Sequence, residues 1–161
     1  MQLLPYSRND AAKVRSIIAD SINYAPEYVG EKAQKEDLEY FDEAYNEESS
    51  GELAYIVKQE GEIASFITCA GNVRINQKER WYITGLFVRK NEMMNIIASE
   101  SIKLFLKQLS PDIILCINVH PAAQEIREFW ESNGFILRPD LSIYTNSENE
   151  FISAYSLTLE S

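Results

Sequence analysis

The sequence predicts one α/β domain spanning 1–161, a mixed and mostly antiparallel sheet of six or seven strands with helices on both faces. Three observations carry that expectation. The apolar periodicity switches along the chain in the order β, α, α, β, β, β, α, β, α, β, β, with hairpin spacing in the middle and crossover spacing later. Ile113 to Val119 is a nearly continuous apolar run, the mark of a strand buried on both faces. Trp81 to Val88 is a strand-length run that passes through Arg89-Lys90-Asn91-Glu92 into a long helical pattern ending near Leu109. No internal repeat, low-complexity tract or linker divides the chain.

Leu3 to Tyr6 reads as a short strand, and Asn9 and Asp10 are suited to cap the helix after it. Val14, Ile17, Ile18 and Ile22 form that helix's apolar face, and Tyr24-Ala25-Pro26 ends it. Gly30 falls in a loop. A second helix from Glu36 to Tyr45 spaces Leu38, Phe41 and Tyr45 by three and four, and Glu48-Ser49-Ser50-Gly51 punctuates. Leu53–Lys58 and Ile63–Ala70 are strands around a tight turn at Glu60-Gly61. Gly71 to Arg80 is polar, with a further turn expected at Asn76-Gln77-Lys78.

After the Trp81 strand, Met94, Ile97, Ala98, Ser101, Ile102, Phe105 and Leu109 share one helical face. Ser110-Pro111-Asp112 separates this helix from the Ile113 strand. Pro121 suits the first turn of a last helix that carries Ala122, Ile126, Phe129 and Trp130 inward, and Asn133-Gly134 closes it. Phe135–Leu137 and Phe151–Leu159 are the final strands. The latter alternates cleanly, so at a sheet edge it would pair across a homodimer.

The net charge is −10, and residues 26–49 hold nine acids against two lysines, which is −7 of it. Such a surface repels nucleic acid and anionic membrane and tolerates a cationic partner; solubility alone also accounts for it. No apolar run reaches the roughly 18 residues that span a bilayer. The first residues lack the basic and apolar regions of a secretory leader. Cys69 and Cys116 sit in apolar runs and read as buried free thiols, which fits a cytoplasmic location. Two cysteines and one histidine give no metal-ligand spacing.

A strand feeding a helix is where α/β proteins bind phosphates, because first-turn N–H groups point outward. Here that place is Leu86-Phe87-Val88 and the helix after it. Further on stand Val119-His120-Pro121 and then Phe129-Trp130-Glu131-Ser132-Asn133-Gly134-Phe135. Together these stretches resemble the GCN5-related N-acetyltransferase family. Its members end a strand, run a helix and close on an aromatic pair, three residues and Gly-Phe. With the hairpin and the opening helices, the resemblance spans nearly the whole chain.

The resemblance implies acetyl transfer from acetyl coenzyme A to a primary amine of a small molecule or peptide, by direct attack and with no metal. It assigns the coenzyme to Leu86, Phe87 and Val88, to a pyrophosphate loop at Met93, Met94, Asn95, Ile96 and Ala98, and to Trp130. Backbone N–H groups near Leu86–Val88 would hold the thioester oxygen. The sequence departs from the family here. The loop's glycines are missing and only Ala98 fits its pattern. Trp130 stands where a proton-donating tyrosine is usual, Ala123 where an asparagine is usual, and Tyr82 where a glutamate base is frequent. Glu79 is near but expected in a turn.

His120 and Tyr82 are the candidate catalytic residues. A histidine past the end of that strand is suited to relay a proton, and equally suited to cap a helix. Cys116 has no basic neighbour in sequence and reads as inert. Arg89 and Lys90 would add positive charge near the phosphates, or simply solvate a turn. Tyr24, Tyr28, Tyr40 and Tyr45 lie among the early carboxylates, a composition that suits either a cation or ordinary packing. A catalytically weak or inactive module of the same fold, binding an acyl-CoA or a protein partner, is the alternative.

Overall fold

The computed structural model describes residues 1–26, 31–45, 53–75, 78–109, 113–120, 122–137, 144–147, 150–153 and 155–160. Gln2–Pro5 forms β1. Asp10 Oδ2 accepts the Ser7 N–H at 3.3 Å and so starts a single 3-10 turn, Arg8–Asp10, that runs into α1, Ala11–Ala19. Ser21–Asn23 is a short strand, β2, and Glu31–Ala44 is α2. Leu53–Gln59 (β3) and Glu62–Ile75 (β4) meet at Glu60 and Gly61, whose φ values of 54° and 80° are the pair of positive angles a type I′ turn requires. Lys78–Arg89 is β5, Met94–Gln108 is α3 and Ile113–Val119 is β6. Gln124–Ser132 is α4, closed by Gly134 at φ 91°, and Ile136–Leu137 is β7. Tyr144–Ser147 (β8), Glu150–Ser153 (β9) and Tyr155–Glu160 (β10) complete the chain.

The sheet runs β1-β3-β4-β5-β6-β10-β7, with β2 attached to β5 and β8-β9 a separate hairpin. Among these ladders only β5 with β6 is parallel. One face is packed by α3 and α4, through Ala98, Ile102, Phe105 and Trp130 against Val57, Ile67, Leu86, Leu115 and Ile117. The other is packed by α1 and α2, through Val14, Ile17, Ile18, Phe41 and Tyr45 against Ile56, Phe66 and Phe87. The expected mixed sheet with helices on both faces is thus observed.

Some expectations are corrected. Ile22 belongs to β2, not to the face of α1, because the Asp20 N–H turns back to Ile17 O and ends the helix. The polar stretch before Trp81 is strand, since β4 extends to Ile75 and β5 begins at Lys78, so Glu79 lies in a strand. The last helix starts at Gln124, after Ala122, which is exposed rather than inward. The expected strand Phe151–Leu159 is split between β9 and β10. Since β10 lies between β6 and β7, it is no edge, and the strand-paired homodimer loses its basis. Gly30, the cluster 48–51, the turn at 76–77, Pro111 and Pro121 lie outside the described residues. Cys69 and Cys116 are buried and outside any disulfide, as expected.

Candidate functional site

The site grows from a defect in β5. Thr68 faces Gly85 and Cys69 faces Ile83, so Thr84 is an extra residue in the ladder, a β-bulge. The bulge resets the alternation of side chains. Ile83, Leu86 and Val88 therefore join one core and Phe87 the other. On its other edge β5 pairs with β6 only from Glu79 to Ile83. Beyond Ile83 the parallel ladder is lost, so β5 presents a bare edge just past the bulge.

That edge is taken by the chain itself. β2 lies antiparallel on it, with Ser21 opposite Arg89, Ile22 opposite Val88 and Asn23 opposite Phe87. Lys90 N–H donates to Asp20 O at 3.1 Å and Tyr24 N–H to Leu86 O at 2.8 Å. The regular ladder would next join Leu86 N–H to Tyr24 O. Instead Trp130 Nε1–H donates to Tyr24 O at 2.6 Å, and Leu86 N–H donates to Asn23 Oδ1 at 3.3 Å. Asn23 Oδ1 also accepts the Ala25 N–H at 2.8 Å, a turn asparagine commonly makes two residues on. Tyr24 donates its hydroxyl to Asn95 Oδ1 at 2.5 Å and packs on Phe129 with centroids 4.5 Å apart and ring planes tilted by 53°. His120 N–H donates to Pro26 O at 3.1 Å. Burial pushes the Tyr24 phenol up to about 12.

On the α1–α2 face a cavity of about 240 Å³ opens against the same bulge. Thr68, Thr84 and Asn23 line its sheet side, with Thr84 Oγ1–H donating to Thr68 Oγ1 at 2.8 Å. Glu36, Asp37, Glu39 and Glu43 of α2 supply carboxylates, and Tyr40, Phe41, Tyr45, Phe66 and Phe87 supply rings. Asn23 Nδ2–H donates to Asp37 Oδ1 at 3.4 Å, tying β2 to the cavity wall. Carboxylates beside aromatic faces form an environment for a cation, since both attract positive charge.

The sequence-derived candidates are distributed around this break. Leu86 and Val88 point their side chains into the core, leaving only backbone at the edge, whereas Phe87 lines the cavity. The stretch expected as a loop is helical from Met94 onward. Asn91 Oδ1 accepts the Met93 N–H at 2.8 Å and Asn91 O the Met94 N–H at 3.2 Å, so two N–H groups near the helix start are satisfied internally. Met93 and Ile96 are 48% and 55% exposed, Asn95 is turned to Tyr24, and Ala98 is fully buried in the core. Trp130 is fully buried on Tyr24 O. Tyr82, opposite Cys116 on β6, and His120, whose Nδ1 accepts the Ala122 N–H at 3.1 Å, do not line the cavity. Arg89 reaches Ser16 Oγ at 3.4 Å, while Lys90 is exposed. Tyr24, Tyr40 and Tyr45 surround the site, and Tyr28 lies outside the described residues. Among the described residues no group of three His, Cys, Asp or Glu is placed to hold a metal, and no helix is long and apolar enough to cross a membrane.

Sequence reasoning missed Asn23, Thr68, Thr84 and Gly85. The signal for Asn23 was present in Asn23-Tyr24-Ala25-Pro26, an asparagine just ahead of a helix-breaking proline. Nothing in the alternation of β5 announced the bulge except the Thr84-Gly85 interruption.

No protein-family model and no curated protein sequence matches the chain. Solved structures do. An aminoglycoside N(6′)-acetyltransferase from Legionella pneumophila matches with a TM-score of 0.73 at 12% identity, covering 98% of this chain and 90% of its own. A GCN5-related N-acetyltransferase from Rhodopseudomonas palustris matches at 0.60 and 17% identity, covering 99% and 95%. RimL, an alpha-N-protein acetyltransferase of ribosomal L7/L12 solved with coenzyme A, matches at 0.63 and 14% identity, covering 98% and 92%. The broken β5 edge, the helices on both faces and these matches over nearly the full length lead to one conclusion: the chain carries the fold of the GCN5-related N-acetyltransferases.

Proposed function

We propose that the protein transfers an acetyl group from acetyl coenzyme A to a primary amine. The observation that carries this reading is the position of the acidic, aromatic cavity directly against the bulge at Thr84, where β5 leaves β6. The matching RimL structure holds coenzyme A, and it is named for acting on a protein α-amino group. The backbone groups at Leu86 and Val88 suit the coenzyme's extended arm in kind, but β2 occupies them, so the coenzyme fits this edge only once β2 has left.

When bound, acetyl coenzyme A supplies an activated acetyl group that the amine attacks, with the thiol leaving. The residues of this chain do the rest. The carboxylates of α2 attract and orient the cationic acceptor, and they are suited to take up the proton the ammonium must lose before it can attack. The rings around the cavity exclude water and fix the angle of approach, which is the larger share of catalysis in a reaction governed by positioning. The N–H groups past Thr84 lie where they would polarise the acetyl oxygen. Tyr82 on β5 and His120, the residue directly after β6, are the proposed proton carriers. A loss of kcat smaller than about tenfold in both H120A and Y82F would remove them from that role, since a positioned acid or base contributes at least ~10²-fold.

The alternative, a weak or inactive module of this fold that binds an acyl-CoA or a protein partner, is favoured by β2 lying on the β5 edge. Thiol release from acetyl coenzyme A, followed over a panel of primary amines that includes cationic ones, separates the two. Amine-dependent release supports the enzyme; coenzyme binding with no release from any amine supports the module.

A further inference from the structure

We propose that Ser21–Pro26 is an internal strap that occupies the coenzyme slot, so that coenzyme binding and departure of the strap are one event. This rests on the acyltransferase reading above.

Three residues that the resemblance assigns to the coenzyme, and the candidate catalytic residue His120, are instead engaged with this segment. Leu86 gives its N–H to Asn23 Oδ1 and its carbonyl to Tyr24 N–H. Asn95 accepts the Tyr24 hydroxyl, Trp130 donates to Tyr24 O, and His120 N–H donates to Pro26 O. The segment therefore satisfies the slot's donors and acceptors as an extended ligand would, adding a strand to an open edge. The pinning is specific. Trp130 draws the Tyr24 carbonyl off the ladder, and the Asn23 carboxamide replaces it on Leu86 N–H, so the strand stops at Asn23 and the chain turns away at Ala25.

The contacts link the two halves of the site. Asn23 also donates to Asp37 at the cavity wall, so displacement of the strap releases a lining residue of the acidic cavity. Occupancy of the slot by the coenzyme and the shape of the amine cavity are thereby coupled. Apparent affinity for the coenzyme is the intrinsic affinity scaled by the fraction of molecules with the strap out.

The test locks the strap. Ser21 and Arg89 face each other across the β2–β5 ladder. In S21C/R89C a disulfide can close between them, since opposed residues of an antiparallel pair lie within bonding reach. Cys69 and Cys116 are fully buried and do not compete. The probe is desulfo-coenzyme A, which has no thiol to reopen the lock, and binding is read by calorimetry on the full chain. The oxidised double variant is expected to bind at least tenfold more weakly than the same variant reduced. W130F, which unpins Tyr24 O, is expected to bind about fivefold to tenfold more tightly, the worth of one hydrogen bond in the closed state. If W130F fails to fold, the locked variant decides alone, because it leaves Trp130 in place. Oxidised and reduced forms binding within twofold of each other overturn the strap and leave the acyltransferase reading standing. No binding to any form at millimolar probe overturns both.

Discussion

Gly85 is the position where the account is most exposed to a simple substitution. A Cβ built there would stand 2.6 Å from Phe87 Cε2, 2.7 Å from Thr68 Oγ1 and 3.2 Å from Phe87 Cζ. Neither neighbour yields easily. The Phe87 ring stacks on Phe66 with centroids 6.1 Å apart and 25° between planes, and Thr68 Oγ1 accepts from Thr84 at 2.8 Å. Overpacking of this kind costs about 1–3 kcal/mol. Alanine recovers about 0.4–1 kcal/mol of that by restricting the unfolded chain. The net for Gly85→Ala is a loss of about 1–2 kcal/mol. For a domain of this size that lowers Tm by about 2–8 °C. Because Thr68 and Phe87 line the cavity, the KM for an amine acceptor is also expected to rise. Calorimetric melting of the two proteins side by side is the assay. An unchanged or higher Tm for the alanine variant would refute the close approach and, with it, the described course of β5 past the bulge.

Neutralising the cavity acids in D37N/E39Q is expected to raise KM for cationic amines about tenfold or more, the worth of a hydrogen bond to a charged group; equal KM for amines in both proteins would show that the acceptor does not use this cavity. Phe41→Ala removes a ring that is 2% exposed and sits between Tyr45 and Phe66 at centroid distances of 5.8 and 5.9 Å. It is expected to cost about 3–5 kcal/mol in urea unfolding, and a loss below about 1 kcal/mol would mean that the α1–α2 core is not packed as described. Burial raises Tyr24 from 10.0 to about 12, so its contribution to stability is complete below the unfolded value and is lost as pH climbs from 10.0 to about 12. Tyrosinate absorbance should show a phenol titrating near 12 that is missing in Tyr24→Phe; a late step of the same size in that variant assigns it elsewhere.

Most of the fold was legible because its elements obey local rules. The hairpin needed a glycine at a positive φ and has Gly61, α4 needed one at its end and has Gly134, and β6 is apolar at every position but Asn118 because both its faces are covered. What was not legible depends on long-range geometry. Ser21-Ile22-Asn23 has no strand signal of its own and becomes a strand because β5 offers a bare edge after Ile83. The split of the last strand into β9 and β10 likewise depends on partners, since β9 pairs with β8 and β10 with β6 and β7.

The site divides in the same way. The carboxylates and rings of α2 could be read as suited to a cation from composition alone. Their meeting with Thr84 could not, because it requires the bulge to aim β5 at them. The absent glycines near Met93 also take on a physical meaning. That segment is already helical, and Asn91 satisfies two of its N–H groups, so a backbone cradle for phosphates would have to form elsewhere or after rearrangement.

The central claim is that this fold still receives acetyl coenzyme A. Thermal denaturation across an acetyl coenzyme A titration tests it most directly. Ligand at a hundred times its dissociation constant stabilises the folded state by about 2.7 kcal/mol. For a chain of this length that raises Tm by about 5–11 °C. A rise of that order, saturating with ligand, is the expected result; a Tm that stays flat up to millimolar acetyl coenzyme A contradicts the account.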